Sequence, residues 1–205
     1  MNSGKSNKAR STAAKAGPAR TLRIIGGAWR GRKIHFPPVE AIRPTPDRVR
    51  ETVFNWLQQD IGGSRCLDLY AGSGALGLEA LSRGAAQVVF VDADQAVGLH
   101  LSKMLAQLGC DRGQVVCTDA ARYLEGVPQP FDIAFMDPPF AGHALADTCL
   151  RLDERGWLRM GGLAYLEAPA TAGAPALPPG WTLLRSKRAG EVGYHLARRG
   201  PPAGE

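Results

Sequence analysis

From residue 65 onward, short apolar segments alternate with longer segments of helical periodicity. The segments RCLDLY, QVVFVD, QVVC and FDIAFMD have the length and apolar content of buried strands, and helical patterns lie between them. Strands and helices that alternate in this way form a parallel sheet covered by helices on both faces, with right-handed crossovers. The sequence therefore predicts an α/β fold.

The end of the chain departs from this alternation. GGLAYLEA, WTLLRSKR and EVGYHLARR have the pattern of three further strands, and no strong helical pattern separates the last two. This arrangement predicts an antiparallel hairpin at one edge of the sheet. Together with the four strands before them, these segments predict a mostly parallel, seven-stranded sheet.

The first 44 residues do not follow the strand–helix alternation. Residues 1–20 are rich in Ser, Ala, Gly, Lys and Arg and contain no acid, so we expect a disordered basic tail. Residues 21–44 contain two short apolar runs around a Gly-Gly pair, which predicts a small β-hairpin extension. We expect the main domain over residues 45–199, with Thr45 as the N-cap of its first helix, and a short C-terminal tail over residues 200–205.

Positive charge is concentrated in this N-terminal part. Residues 1–50 hold 12 of the 25 Lys and Arg residues but only 2 of the 19 Asp and Glu residues, so the whole net charge of +6 arises there. A basic arm of this kind favours a polyanionic partner, nucleic acid first, with a merely solubilising tail as the alternative. The candidate residues for binding a nucleic acid are Arg23, Arg30, Arg32, Lys33, Arg43, Thr45, Arg48 and Arg50.

Two features qualify this expectation. Helical spacing places Arg48 and Arg50 on different sides of their helix, so at least one of them is expected to be a surface or salt-bridge residue. Trp29 and Phe36, which lie among the basic residues, suit either base stacking or packing of the hairpin onto the main domain.

The sequence also excludes some classes of protein. No apolar run approaches the ~20 residues of a membrane span. The four cysteines show no CxxC spacing and no nearby histidine, which favours reduced thiols over a metal site. We expect a cytoplasmic protein without a metal.

A glycine-rich loop follows the first strand of the main domain. DLYAGSGALG, residues 68–77, contains a GxGxxG pattern between a strand and a helix, which lets the backbone turn tightly and approach a cofactor. Asp92 ends the next strand, twenty residues after Gly72, where a carboxylate can accept both hydroxyls of a ribose. These features permit either NAD or S-adenosylmethionine.

Acids at two other strand ends favour S-adenosylmethionine. Asp68 suits the positively charged amino-acid tail of that cofactor and would repel a dinucleotide pyrophosphate. Asp119 follows the third strand and can accept from an adenine amino group, or it caps its helix instead. The candidate cofactor-binding residues are Asp68, Ala71, Gly72, Ser73, Gly74, Asp92, Ala93, Asp119 and Ala120.

The fourth strand ends in AFMDPPF, residues 134–140. Prolines can continue neither a sheet ladder nor a helix interior, so regular structure stops here. A residue that precedes proline is biased to extended geometry, which fixes the direction of its acceptors. The candidate catalytic residues are Asp137, Pro138, Pro139 and Phe140.

With the glycine loop first and DPPF after the fourth strand, the sequence resembles class I S-adenosylmethionine-dependent methyltransferases that act on exocyclic amino groups. The resemblance implies their Rossmann-like fold. It also implies that Asp137 and the carbonyl of Pro138 hold the hydrogens of the target amine, while Phe140 stacks on the base. DPPF by itself leaves adenine N6, guanine N2 and a glutamine amide open as targets.

Longer segments are similar to one branch of this superfamily. RIIGGAWRGRKI, RPTPDRVRETVFNWL, DLYAGSGALGLEALSRGA and AGEVGYHL resemble the RsmD-type rRNA guanine-N2 methyltransferases. The resemblance implies methylation of one guanine of 16S rRNA, on an assembling small ribosomal subunit, and we expect a monomer. The alternatives are an adenine-N6 methyltransferase, a non-catalytic RNA-binding assembly factor and a NAD-dependent dehydrogenase.

Overall fold

The computed structural model describes residues 20–36, 45–139 and 144–201, whose strands form two sheets. The strands are β1 (Arg20–Arg23), β2 (Lys33–Phe36), β3 (Arg65–Asp68), β4 (Gln87–Asp92), β5 (Gly113–Cys117), β6 (Phe131–Met136), β7 (Leu158–Pro169), β8 (Thr182–Ala189) and β9 (Val192–Arg198). The α-helices are α1 (Asp47–Trp56), α2 (Ala75–Ser82), α3 (Gln95–Gln107), α4 (Ala120–Leu124) and α5 (Ala144–Glu154).

The larger sheet has seven strands in the order β5-β4-β3-β6-β7-β9-β8. The first five are parallel to their neighbours, and β9 is antiparallel to both β7 and β8. The α/β class, the seven-stranded mostly parallel sheet and the antiparallel edge are therefore confirmed. β1 and β2 form the predicted N-terminal hairpin as a separate antiparallel sheet.

The central strands are buried on both faces, which explains their continuous apolar runs. One face of the sheet packs against α1, α2, α3 and the hairpin. The other face packs against α4 and α5. The carboxyl ends of the parallel strands consequently share one edge, to which the loops after β3, β4, β5 and β6 all lead.

Buried charges attach the hairpin to the main domain. The carboxylate of Glu79, which is fully buried in α2, accepts the backbone N–H groups of Ile25 and Gly26, each at 2.8 Å. The guanidinium of Arg83 donates to the same carboxylate at 2.8 Å. Arg50 of α1, also fully buried, donates to the carbonyl of Arg23 at 2.9 Å. The hairpin is therefore a fixed part of the fold.

The turn of the hairpin packs closely against the end of α2. The N–H of Trp29 donates to the hydroxyl of Ser82 at 2.9 Å, and that hydroxyl donates to the carbonyl of Gly26 at 2.6 Å. At Gly27, with φ +77°, an added Cβ would lie 1.9 Å from the Ser82 carbonyl oxygen. Since Trp29 is buried in the core, it packs the hairpin onto the main domain.

The start of α1 differs from the sequence prediction. The helix begins at Asp47, its N-cap is Pro46, and no side chain caps it. Thr45, predicted as the N-cap, donates its hydroxyl to the buried carboxylate of Glu167 instead. A buried carboxylate without hydrogen-bond donors costs more free energy than an uncapped helix end, because water can hydrogen-bond to the helix end. This explains why Thr45 donates to Glu167.

The cysteines are all free, and two of them are inert by burial. Burial raises the pKa of both Cys66 and Cys149 to about 12, whereas Cys117 is exposed. No helix in the described parts of the chain has the length and apolarity needed to cross a bilayer.

Candidate active site

Acidic side chains line the carboxyl edge of the sheet. Asp68 ends β3, Asp92 ends β4, Asp119 follows β5 and Asp137 follows β6, so the four predicted acids lie at successive strand ends. Glu167, near the end of β7, is a fifth acid on this edge. The topology thus brings together residues that are up to 99 positions apart in the sequence.

The glycine loop has the backbone geometry that its sequence predicts. Gly72 and Gly74 both have positive φ, at 50° and 74°. The N–H of Gly72 donates to Asp92 at 2.8 Å, and the N–H of Gly77 donates to Asp68 at 2.9 Å. An added Cβ at Gly77 would lie 2.2 Å from the ring of Phe90. The loop therefore needs glycine at these positions, and the acids at the ends of β3 and β4 hold its conformation.

Asp68 is almost completely buried. Burial raises its pKa to about 7, the hydrogen bond from Gly77 acts in the opposite direction, and the negative charges of Asp92 and Glu167 add to the increase. A cationic ligand beside this carboxylate would favour its ionised form. Asp68 is therefore suited to the ammonium group of an amino-acid tail.

Asp92 is partly buried and keeps acceptor capacity. One carboxylate oxygen accepts from Gly72 and the other accepts from the N–H of Asp94 at 2.9 Å. Each oxygen retains a second acceptor position, which a ribose hydroxyl can occupy. The remaining loop residues lie around this point, with Ala71 and Ser73 buried and Ala93 exposed.

Asp119 does cap α4. One of its oxygens accepts from the N–H groups of Ala121 and Arg122, at 2.8 and 3.3 Å, and Ala120 is the buried first residue of the helix. The alternative interpretation of Asp119 as a helix cap is thus confirmed for this oxygen. The second oxygen accepts no hydrogen bond from the described residues, so capping leaves it available for a ligand.

The chain leaves β6 through Asp137 and the two prolines. Asp137 is partly buried, Pro138 is buried and Pro139 is exposed. Burial raises the pKa of Asp137 to about 8, and the negative charges of Glu167 and Asp68 contribute to this increase. Phe140 lies outside the described residues.

Glu167 is the principal residue of this site that the sequence candidates do not include. Glu167 is 4% exposed. One of its carboxylate oxygens accepts hydrogen bonds from the hydroxyls of Tyr165 at 2.7 Å and Thr45 at 3.2 Å. Burial raises its pKa, which both hydroxyls partly counteract. The sequence does contain a pattern that could have identified Glu167. The predicted strand GGLAYLEA has an acid near its carboxyl end, as the strand QVVFVD has Asp92 at its end.

The predicted RNA-binding residues separate into two groups. Arg23, Arg30, Arg32, Lys33 and Arg48 are exposed. Arg23 also lies 3.7 Å from the carboxylate of Asp47. These five side chains remain candidates for phosphate contacts.

The structure corrects two members of this set. Arg50 is fully buried and ion-paired to Asp47 and Glu79, so it cannot reach an RNA. Thr45 is also buried, with its hydroxyl donated to Glu167. The burial of Arg50 has a local cause, because α1 turns this position toward the hairpin and α2. Arg43 lies outside the described residues.

The acids on this edge are not arranged as a metal site. No group of three or more His, Cys, Asp or Glu residues in the described part of the chain is placed to hold a metal ion. What the edge offers is a set of hydrogen-bond acceptors beside a glycine loop, with Asp137 and two prolines directly after β6.

Comparisons with known proteins agree with this geometry. The family described as "Conserved hypothetical protein 95" matches residues 22–198. Ribosomal RNA small subunit methyltransferase D of Escherichia coli K12 is 47% identical over 87% of this chain and 90% of its own length. The protein of the same name from Haemophilus influenzae is 42% identical over 85% of this chain and 92% of its own length.

A solved structure has a fold similar to that of this chain. The putative methyltransferase yhhF from Escherichia coli superposes with a TM-score of 0.83 at 45% identity. The match covers 88% of this chain and 99% of the other.

Proposed function

Because this chain belongs to the family described as "Conserved hypothetical protein 95", we propose that it transfers a methyl group from S-adenosylmethionine to the N2 of a guanine in 16S rRNA. The names of its relatives support methylation of small-subunit rRNA as the reaction class. The observation that carries the proposal is the placement of Asp137 and Pro138 directly after β6, on the edge that also carries the glycine loop. The substrate is an assembling small ribosomal subunit.

The acids and the glycine loop fit S-adenosylmethionine as the methyl donor. Asp68 would hold its ammonium group, Asp92 its ribose hydroxyls and the free oxygen of Asp119 its adenine amine. The backbone at Gly72 and Gly74 allows the cofactor to approach closely, because these glycines have no side chain and adopt positive φ. When bound, S-adenosylmethionine supplies a methyl group that its sulfonium charge already activates, so the protein has mainly to align the reactants.

Asp137 and Pro138 make the amine of the target base reactive. The lone pair of an exocyclic amine is delocalised into the ring, and two acceptors on its hydrogens help the nitrogen become pyramidal. The nitrogen then forms a bond to the methyl carbon while the carbon–sulfur bond breaks and sulfur keeps the electron pair. The surplus proton of N2 passes to the ionised carboxylate of Asp137.

The basic hairpin binds the RNA around the target. Arg30, Arg32 and Lys33 are exposed on an element that buried ion pairs fix to the main domain. Phosphate contacts from such residues position an RNA without reading its bases. The target guanine has to be unstacked to reach Asp137.

Nucleoside analysis of 16S rRNA tests this proposal. A strain that lacks the gene should lose N2-methylguanosine at one site, and the wild-type gene should restore it. Asp137→Ala should not restore it, although the purified variant should bind S-adenosylmethionine with an unchanged Kd in calorimetry. Asp60→Ala, which removes an exposed acid far from the carboxyl edge, is the matched control and should restore methylation.

Three results would contradict the proposal. Unchanged 16S rRNA methylation in the deletion strain would remove the assigned substrate. Loss of N6-methyladenosine in place of N2-methylguanosine would transfer the activity to adenine. Near wild-type methylation by Asp137→Ala would exclude the role given to that carboxylate.

A further inference from the structure

Two acids lie near the ends of the neighbouring strands β6 and β7, and the charge of one raises the pKa of the other. The strands are parallel, and Met136 of β6 is the partner of Leu166 of β7. Continued one residue past the end of β6, this register places Asp137 opposite Glu167, with strand backbones about 4.8 Å apart and both side chains on the same face of the sheet. The proposed reaction uses Asp137 and assigns no role to Glu167.

We propose that Glu167 accepts the N1–H of the target guanine and thereby selects guanine over bases that lack this proton. The inference rests on the proposed guanine-N2 methylation and names the residue that determines its base specificity. Guanine carries N1–H and the N2 amine as neighbouring donors on one edge, so two neighbouring acceptors match it. A base taken out of its stack is read on this edge.

The contacts of Glu167 orient its carboxylate. One oxygen, Oε1, accepts the hydroxyls of Tyr165 and Thr45, which come from β7 and from the segment before α1. The other oxygen, Oε2, takes no hydrogen bond from any residue that the structure describes. It is also not among the buried side-chain atoms of those residues that lack a hydrogen-bond partner, so it is accessible to a ligand.

The neighbouring charges make a donor necessary at this position. Burial raises the pKa of both Asp137 and Glu167, and the charge of Glu167 raises the pKa of Asp137 further. Two N–H donors from one base would stabilise both ionised carboxylates at once. Adenine presents an unprotonated N1 with a lone pair at the corresponding position, which would face Oε2 of Glu167 and leave that oxygen without a donor.

Replacement of the target guanine by 2-aminopurine tests the assignment. This base keeps the exocyclic amine that accepts the methyl group, but its N1 carries no proton. Small subunits reconstituted with rRNA ligated from a synthetic fragment can carry either base at the target position. We expect the wild-type protein to prefer guanine by about 10⁴–10⁵-fold in kcat/KM, as a site with a buried polar partner discriminates against an analogue that cannot pair with it.

The Glu167→Gln variant should reduce this preference at least about tenfold, because a glutamine amide can donate to an unprotonated N1 as well as accept from N1–H. Tyr165→Phe, which removes one of the hydroxyls on Oε1, should reduce the preference to a smaller extent. Glu154→Gln, the same substitution at an exposed position of α5, should leave it unchanged. A purely structural role for Glu167 would lower both rates by the same factor and leave the preference intact.

The outcomes separate the inference from the function on which it rests. Equal use of guanine and 2-aminopurine by the wild-type protein, or an unchanged preference in Glu167→Gln, would overturn the role of Glu167 while guanine methylation still stands. Absence of methyl transfer to the guanine-containing subunits would overturn both.

Discussion

Individual acids in this site have pKa values far from those of free side chains, and the reason is burial. Asp68 is buried and Asp137 is partly buried at the carboxyl edge of the sheet, and burial raises their pKa values to about 7 and about 8. Such shifts are typical of functional sites, where a carboxylate has to exchange a proton near neutral pH. A cationic methyl donor and the N–H groups of a guanine would offset the unfavourable burial of these charges.

The pH dependence of stability follows from the raised pKa of Asp137. In the unfolded chain this carboxyl releases its proton around 3.8, whereas in the folded protein it keeps the proton to about 8. The resulting contribution to stability is present at low pH and is lost as the pH rises through 8. We expect the free energy of unfolding of the wild-type protein to fall by roughly 2–4 kcal/mol relative to that of Asp137→Asn between pH 4 and pH 8.

Urea unfolding of both proteins across this range measures the difference. Parallel curves for the two proteins would show that Asp137 titrates normally. Activity should change in the opposite sense, since methyl transfer needs the ionised form, so kcat/KM should rise with pH and level off above about 8.

At the scale of elements, helix α1 carries one exposed arginine and one buried arginine. Arg48 is exposed, while Arg50, two positions later, lies in the core between the hairpin, α1 and α2. The carboxylate of Glu79, on α2, faces Arg50 and also accepts two N–H groups of the hairpin. This buried group of charges joins three elements, so losing one partner should affect all of them.

We expect Arg50→Met to destabilise the protein by about 3–5 kcal/mol, because the buried carboxylate of Glu79 loses a partner. Arg48→Met, the same substitution on the exposed side of the same helix, should change stability by no more than about 0.5 kcal/mol. Chemical denaturation measures both values. Similar small effects for the two variants would mean that Arg50 does not hold the hairpin in place.

At the scale of the whole molecule, the positive charge and the acidic candidate site lie in different parts of the chain. Positive charge is concentrated in residues 1–50, whereas the remaining residues carry a net charge of −4 and supply the acids of the site. The basic part attracts a polyanion, and the acidic edge suits a cationic ligand and the N–H donors of a base. Because the hairpin is fixed to the domain, RNA that binds to it is held at a defined distance from the site.

The salt dependence of RNA binding tests this division. Removing Lys33 with Lys33→Ala should weaken binding to 16S rRNA and reduce the slope of log K against log salt by about 0.7–1, as expected for the loss of one phosphate contact. Lys103→Ala removes an equivalent exposed charge from α3 and should leave the slope unchanged. Equal slopes for the wild-type protein and Lys33→Ala would exclude a phosphate contact at Lys33.

The sequence alone determined the α/β class, the seven strands and the acids at the ends of β3, β4 and β6. These features are local, because strand periodicity, the positive φ of glycine and the restrictions of proline act over a few neighbouring residues. The glycine loop and the end of β6 before the two prolines are therefore predictable from the sequence.

Only the tertiary structure decided which distant residues share a site. Arg50 and Thr45 have the sequence context of RNA contacts, yet packing buries them against partners 29 and 122 positions away. Glu167 reaches the site because β7 pairs with β6 in one register, and a shift of one residue would turn its side chain to the other face. Sequence periodicity specifies the face of each strand, whereas its neighbours and register depend on contacts between segments far apart in the chain.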